Sequence, residues 1–338
     1  MRWVRSALAP GIAVAAAAAF GICLKLRIGG PAATSYLDDA ATAAAALAAF
    51  VLCVRAALRT RGTTRRFWAL FAAALGWWTA GETAWAVYDL GFGRVPKASF
   101  ADAFYLTAVP FCVAALLVHP ALRGRALGCL RSLADGCIVA LSVFLVAWLL
   151  VLEPMRHTTD LTSLGGLVST AYPVTDTVIV VLIVLVVRGT TTHERHDIWL
   201  LLAGLVLMTA SDAVYCYLNS VKHFATGGVI DTGWFAAYLA IGLGALRAHA
   251  YEPAAARARS ELSPLALVTP LATVVAGLGL VATRLRPGHP LGGVTEVTTL
   301  VLVGLVLLRQ SLLVLDAARE REGRLGTRLV GALGGTRR

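Results

Sequence analysis

Residues 207–218 read LMTASDAVYCYL, and they belong to an apolar run that begins near Ile198. A run of about 20 apolar residues is what an α-helix needs to cross a lipid bilayer. Asp212 interrupts this run, although an acid inside the membrane costs roughly 2.5–3.5 kcal/mol on insertion-based scales. The stretch therefore predicts a membrane-spanning helix whose acid has a partner, either a polar side chain or a ligand.

The composition of the whole chain indicates a membrane protein with several spans. Of its 338 residues, 58% are hydrophobic and 14% are charged, and the mean hydropathy is +0.75. A soluble domain of this size would carry nearer to about 25% charged residues. The net charge of +11 comes mostly from arginines in short loops, which favours a role in membrane topology, and no nucleic acid partner is expected.

Ten apolar runs follow one another along the chain, with short polar loops between them. Their approximate bounds are 7–26, 37–58, 67–90, 100–122, 132–152, 169–187, 198–218, 229–248, 264–283 and 294–315. If the N-terminus is inside, 22 of the 30 Lys and Arg residues fall on the inner side. This positive-inside bias places both termini in the cytoplasm. The sequence thus predicts an all-α fold, a polytopic transmembrane helical bundle of about ten spans that packs against the lipid bilayer.

The last run continues into a charged helical segment, RQSLLVLDAAREREGRLGTRL at 309–329, with leucines at roughly heptad spacing. Two interpretations stay open for it. It is either a short coiled coil that joins two chains into a homodimer, or a juxtamembrane helix whose arginines reach the membrane interface. We divide the chain into a transmembrane domain, 1–315, and a cytoplasmic helical extension with a flexible tail, 316–338.

Four of the runs contain an acid that is followed three positions later by an aromatic residue. These pairs are Glu82/Trp85, Asp102/Tyr105, Asp212/Tyr215 and Asp231/Trp234. Residues three apart lie on one face of a helix. The sixth run adds Tyr172 and Asp176, four positions apart. With the orientation above, all five acids fall in the outer half of their spans, whereas Asp135 falls near the inner face.

A weak internal repeat contains these acids. The third and fourth runs superpose on the seventh and eighth with an offset of about 130 residues, which matches Thr79 with Thr209, Glu82 with Asp212, Trp85 with Tyr215 and Asp102 with Asp231. Both hairpins begin on the inner side, so the repeat is parallel. Inverted repeats are common in secondary transporters, although parallel ones also occur. The repeat therefore weakens the case for a transporter without removing it.

Five acids without Lys or Arg in the same apolar stretches need compensation. Either several carboxyl groups are protonated, or a cation or polar ligand binds among them. Aromatic faces beside carboxylates suit an organic cation, whereas oxygen ligands alone suit a hard metal ion. The alternative is structural: the acids hydrogen-bond to Thr, Ser or Tyr on neighbouring helices, and the aromatic residues form an interfacial belt. The acids and aromatic residues named above are thus candidate ligand-binding residues.

The sequence contains no pattern that predicts catalysis. The six cysteines show no CxxC or Cys/His ligand spacing, and no P-loop, HExxH or nucleophile elbow occurs. We therefore expect a protein that is not an enzyme, and the sequence identifies neither a metal nor a cofactor.

Six motifs in a fixed order carry a family resemblance. They are W-x6-W-x2-Y-D (Trp78 to Asp89), P-x2-SFADAFYL-x3-P (Pro96 to Pro110), RSLADG (131–136), AYPVTD (171–176), SDAVY (211–215) and D-x2-W-x3-Y (Asp231 to Tyr238). Over about residues 35–320 the chain resembles the membrane sensor region that precedes GGDEF and EAL domains in actinobacterial cyclic-di-GMP signalling proteins. The resemblance implies detection of a signal and its transfer to a cytoplasmic output domain. Because no GGDEF, EAL or kinase sequence follows the connector, the expected output is a separate cytoplasmic signalling partner.

The residues and the resemblance together predict a sensory module in a bacterial plasma membrane. It would detect an extracytoplasmic or membrane signal through an acid–aromatic cavity in the outer leaflet. The alternative is a transporter or permease that couples cation or proton movement to the same carboxylates. In a third interpretation the acids only hold the helices together.

Overall fold

A computed structural model of the chain describes residues 2–96, 98–119, 130–153, 163–189, 196–220, 223–248, 264–285 and 292–334. Over these ranges it contains ten α-helices and no β-strand, which confirms the all-α class. The helices are α1 (Arg2–Leu26), α2 (Pro31–Arg59), α3 (Gly62–Ala86), α4 (Phe100–Val118), α5 (Leu130–Ala147), α6 (Leu164–Gly189), α7 (His196–Ser220), α8 (Asp231–Leu246), α9 (Pro264–Arg284) and α10 (Gly293–Gly334). Each predicted apolar run overlaps one of these helices. Two π-helical turns, Val87–Gly91 and Trp148–Leu152, continue α3 and α5.

Six segments of these helices are long and apolar enough to cross a membrane. They are Ala9–Leu26, Pro31–Arg59, Phe100–Val118, Leu164–Val187, Ile198–Asn219 and Gly293–Val314. Two further helical segments, Ala134–Leu150 and Leu271–Arg284, are apolar but shorter. This length and composition fit a multi-pass membrane protein.

Six helices close a ring. Its order is α2, α3, α4, α6, α7 and α8, and α8 packs back against α2. Helix α1 packs against α8. Large apolar side chains fill much of the ring; among them, Phe67, Phe71, Leu201 and Ile241 are almost completely buried. The spacing of Phe67 and Phe71, one helical turn apart on α3, directs both rings into this core.

Small residues let the ring helices approach one another closely. Ala46, Ala49 and Cys53 form the buried face of α2, and a Cβ added to Gly242 of α8 would lie 3.5 Å from the Cα of Ala49. Gly204 of α7 is more tightly enclosed. Small residues are common where membrane helices pack, because lipid offers no hydrophobic driving force between them and contact must come from close van der Waals packing.

A second group of helices, α5, α9 and α10, lies beside the ring. Helix α5 packs on α6 of the ring and also on α9 and α10. Its buried Ile138 and Leu145 belong to the same apolar cluster as Leu302 of α10. An ion pair adds to this contact, because the Arg309 guanidinium donates a hydrogen bond to Asp135, which has no exposed surface. Asp135, which does not line the cavity described below, thus links α5 to α10.

Replacing Gly204 with alanine tests the close packing of the ring. A Cβ at this position would lie 2.6 Å from Ile241 Cγ1 and 2.8 Å from the carbonyl oxygen of Ala237, so α7 and α8 must separate. Overpacking of this kind costs about 1–3 kcal/mol. We expect a lower midpoint of thermal unfolding for Gly204→Ala in lipid nanodiscs.

Gly304→Ala is the matched control, because Gly304 lies in a helix and no atom would be within 4 Å of the added Cβ. We expect its unfolding midpoint to equal or exceed that of the wild type. If both variants unfold at the same temperature, the result contradicts the close approach of α7 and α8 at Gly204.

Candidate functional site

The ring helices enclose a cavity at one end of the ring. All six ring helices line it, together with the loop at 223–230 that joins α7 to α8. About 970 Å³ of space between the atoms belongs to the cavity, its opening included. Seven carboxyl groups line the wall, and no Lys, Arg or His of the described residues does so. The acids are Asp38, Asp39, Glu82, Asp102, Asp176, Asp212 and Asp231.

All ten candidate residues from the sequence line this one cavity. They are Glu82, Trp85, Asp102, Tyr105, Tyr172, Asp176, Asp212, Tyr215, Asp231 and Trp234. Their convergence follows from the ring, because acid–aromatic pairs on separate helices face the same interior. The binding of a ligand by these residues stays a prediction.

Sequence reasoning missed three groups at the site: Asp38 and Asp39 of α2, Tyr238 of α8, and Asp89 in the π turn after α3. Asp38 and Asp39 end the sequence YLDD, which immediately precedes an alanine-rich run. Two adjacent acids at the end of a span are a visible signal. The D-x2-W-x3-Y motif also contains Tyr238, at a spacing that places it on the same face of α8 as Asp231 and Trp234.

Glu82 is held by two tyrosines. Its Oε1 accepts a hydrogen bond of 2.8 Å from the Tyr238 hydroxyl, and the Tyr105 hydroxyl is a second hydrogen-bond partner. The Tyr105 ring lies directly against Gly81, where any Cβ would collide with it. Glu82 is also close enough to Asp38 and Asp212 for both charges to repel it.

Asp102 is already satisfied by the protein. Its Oδ2 accepts a bond of 2.8 Å from the backbone N–H of Ser99, and the Ser99 hydroxyl accepts one of 3.4 Å from the backbone N–H of Asp102. This capping box begins α4. Oδ1 of Asp102 accepts a bond of 2.8 Å from the Tyr172 hydroxyl, which joins α4 to α6. Hydrogen bonding within the protein accounts for both oxygens of this residue.

The donor to Asp212 belongs to a cluster of four aromatic rings. The indole N–H of Trp234 donates a bond of 2.8 Å to Asp212 Oδ1. The ring of Tyr215 lies edge-to-face with Trp85, Phe224 and Trp234, at centroid distances of 6.3, 4.7 and 5.9 Å. Such arrangements stabilise aromatic clusters, and they present ring faces and edges to the cavity. Trp85 and Tyr215 occupy equivalent positions in the internal repeat.

A second acidic group lies where α2 meets α8. Asp38 Oδ2 accepts a bond of 2.9 Å from the backbone N–H of Gly227, and Asp231 Oδ2 accepts one of 2.9 Å from Gly228. Gly227 has a φ of +79°, a left-handed conformation that glycine adopts without strain. The carboxyl groups of Asp38 and Asp231 are within hydrogen-bonding reach of each other, as are those of Asp39 and Asp89. Each carboxyl pair needs a proton or a cation between its members.

Three carboxyl oxygens of the cavity are buried and accept no hydrogen bond from the described residues. They are Asp39 Oδ2, Asp176 Oδ2 and Asp231 Oδ1. The exposed fraction is 6% for Asp39 and 3% for Asp231. Because buried polar atoms are almost always hydrogen-bonded, each of these oxygens requires a shared proton or a donor from outside the chain.

The donor set favours an organic ligand over a metal ion. Within the described ranges, no three His, Cys, Asp or Glu side chains form a group that could hold a metal. Aromatic side chains instead bond to two of the acids, since Tyr238 donates to Glu82 and Trp234 donates to Asp212. Aromatic faces beside a carboxylate attract an organic ammonium group.

No family model, curated protein or solved structure matches the chain. The cavity and the packing of the helices around it are therefore the observations that bear on function. The resemblance of the six motifs to a sensor region stays an expectation from the sequence.

Trp234→Phe tests the contact between Trp234 and Asp212. The phenyl ring keeps an aromatic side chain in place but removes the indole N–H, so Asp212 loses its donor. Leaving a buried acceptor unsatisfied costs about 1–3 kcal/mol. We expect a lower midpoint of thermal unfolding in nanodiscs.

Trp77→Phe is the control for the change in ring size, because Trp77 is outside the cavity wall and stacks on Phe104. We expect it to cost less stability than Trp234→Phe. An equal loss for both variants would contradict the hydrogen bond to Asp212.

Proposed function

We propose that the chain is a sensory module of a bacterial plasma membrane, with about ten spans and both termini in the cytoplasm. It detects a cationic ligand that enters the cavity from outside, and it passes the signal to a separate cytoplasmic partner. The observation that carries this proposal is the set of seven carboxyl groups around one cavity that no basic side chain of the described residues lines. A bound cation would offset negative charge that the cavity wall leaves uncompensated.

The helix contacts supply a route from the cavity to the cytoplasm. Helix α6 carries Tyr172 and Asp176 in the cavity wall and packs on α5. Helix α5 in turn is ion-paired with α10 through Asp135 and Arg309. A shift of α6 on ligand binding would thus be passed through α5 to α10.

Helix α10 is suited to carry the signal out of the membrane. It is one continuous helix of 42 residues, Gly293–Gly334. Its length is about 63 Å, roughly twice the thickness of the hydrocarbon core of a bilayer. The ligand can shift α10 only by as much as its affinity differs between the two arrangements of the helices.

A second candidate function is cation or proton transport. It is favoured by the succession of acids from Asp38 through Glu82 to Asp212, which offers consecutive sites across the cavity. Flux of protons and monovalent cations in proteoliposomes separates the two functions. A sensor gives no flux above that of empty liposomes, whereas flux that disappears in Glu82→Gln would establish transport.

Replacing Asp212 and Asp231 with asparagine tests the cavity itself. Asparagine has nearly the same shape but removes the charge that attracts a cation. Saturation to 100 times the Kd stabilises a protein by about 2.7 kcal/mol. We therefore expect a panel of inorganic and organic cations to contain at least one that raises the unfolding midpoint of the wild type but not that of Asp212→Asn/Asp231→Asn.

Glu296→Gln is the control, because Glu296 is an exposed acid at the beginning of α10 and does not line the cavity. It should respond to the same cation as the wild type does. If no cation stabilises the wild type more than the double variant, the ligand-binding function of the cavity is wrong.

The double variant Asp135→Asn/Arg309→Gln tests the route to α10. Both charges are removed together, because one charge left alone in this buried position would cost about 3–5 kcal/mol. Spin labels on the exposed residues Leu58 of α2 and Ser311 of α10 report the distance between the ring and α10. We expect the effective cation to change this distance in the wild type and to bind the variant without changing it.

Glu153→Gln serves as the control, because it removes a charge from the outer end of the α5 segment, away from the ion pair. It should keep the change in distance. A full distance change in the Asp135/Arg309 variant would exclude this route.

A further inference from the structure

The unsatisfied carboxyl oxygens of the cavity lie in two separate places. Asp39 Oδ2 and Asp231 Oδ1 belong to the group where α2 packs against α8. Asp176 Oδ2 lies on α6, which packs against α7 and is three places from α2 in either direction around the ring of six helices. We call these two places the α2/α8 end and the α6/α7 end of the cavity.

Glu82 of α3 is less available to a ligand than the unsatisfied oxygens are, because it accepts a hydrogen bond from the Tyr238 hydroxyl and has the Tyr105 hydroxyl as a second partner. The lining also contains the apolar side chains Val109, Ile179, Leu205 and Met208. A ligand that reaches both ends therefore combines two positively charged donors with an apolar segment.

Other classes of cation provide donors to fewer of the unsatisfied carboxyl oxygens. A metal ion lacks a group of three ligands among the described residues. A single small ammonium ion can donate to the oxygens of one end only, and it leaves the others buried without a donor. Two ammonium groups on one chain reach Asp39 and Asp231 at one end and Asp176 at the other.

We propose that the ligand is an aliphatic diamine or polyamine, with one ammonium group at the α2/α8 end and another at the α6/α7 end. At the α6/α7 end, the rings of Tyr215 and Trp234 beside Asp212 add an attraction for the cation. The inference rests on the proposed function, since it names the ligand class of the same cavity.

A series of diamines tests the two ends together. The probes are 1,3-diaminopropane to 1,8-diaminooctane and the monoamines of matching chain length, titrated against the full chain in nanodiscs by calorimetry. When one ammonium group is bound, the second binds at a high effective concentration, provided that the chain spans the two ends. We expect one optimal chain length, at which the diamine binds at least about tenfold more tightly than its monoamine.

Asp231→Asn and Asp176→Asn each alter one end. Each change should abolish the advantage of the optimal diamine over its monoamine, while the monoamine keeps its affinity in at least one of the two variants. Glu296→Gln, outside the cavity, should keep the whole advantage. The diamine series on the wild type does not depend on the folding of any variant.

The outcomes distinguish this inference from the proposed function. Equal affinities of diamines and monoamines at every length would overturn the two-ended ligand and leave a cation cavity. Stabilisation by Na⁺, K⁺, Mg²⁺ or Ca²⁺ without any response to amines would also overturn the diamine as the ligand, but it would leave the cation cavity of the proposed function. No response to any of these cations would overturn both, and shared protons would then account for the carboxyl pairs.

Discussion

The structure depends on holding like charges together inside a low-dielectric ring of helices. Seven carboxyl groups share this interior, where ionised neighbours repel one another, and hydrogen-bond donors of the protein hold five of them: Asp38, Glu82, Asp102, Asp212 and Asp231. Helix α8 supplies much of this order. Its Asp231, Trp234 and Tyr238 are spaced i, i+3 and i+7 on one face, and they contact Asp38 of α2, Asp212 of α7 and Glu82 of α3. One face of one helix thus organises acids from three others, and the close packing at Gly204 and Gly242 keeps that face in place.

The apolar runs and the acid–aromatic spacing predict the helices and the members of the cavity. Periodicity shows which residues share a face, and the acids had to face inward because lipid does not solvate them. The interpretation of Asp102 is different, because the sequence Ser99–Asp102 is also a capping box, and this local role occupies the carboxyl group. A capping motif and the acid–aromatic motif coincide at Asp102. The spacing of the acid and the aromatic residue does not show which of the two roles the carboxyl group has.

The pairings themselves were not predictable from the sequence. Tyr238 is 156 residues from Glu82, and Arg309 is 174 residues from Asp135. Such contacts depend on which helices are neighbours, and periodicity carries no information about that. Asp38 and Asp39 were missed for a related reason: acids at the end of an apolar run are usually solvated, and only the return of α8 against α2 encloses them.

The order of helices around the ring gives the two hairpins of the internal repeat equivalent neighbours. Hairpin α3–α4 is followed in the ring by α6, and hairpin α7–α8 is followed by α2. Asp102 and Asp231, which match each other in the repeat, therefore stand at corresponding junctions. At the first junction, Asp102 accepts a hydrogen bond from Tyr172, whereas the second brings Asp231 against Asp38 and needs a proton or cation between the two carboxyl groups. The same position thus makes one junction self-sufficient and the other conditional on what lies between two acids.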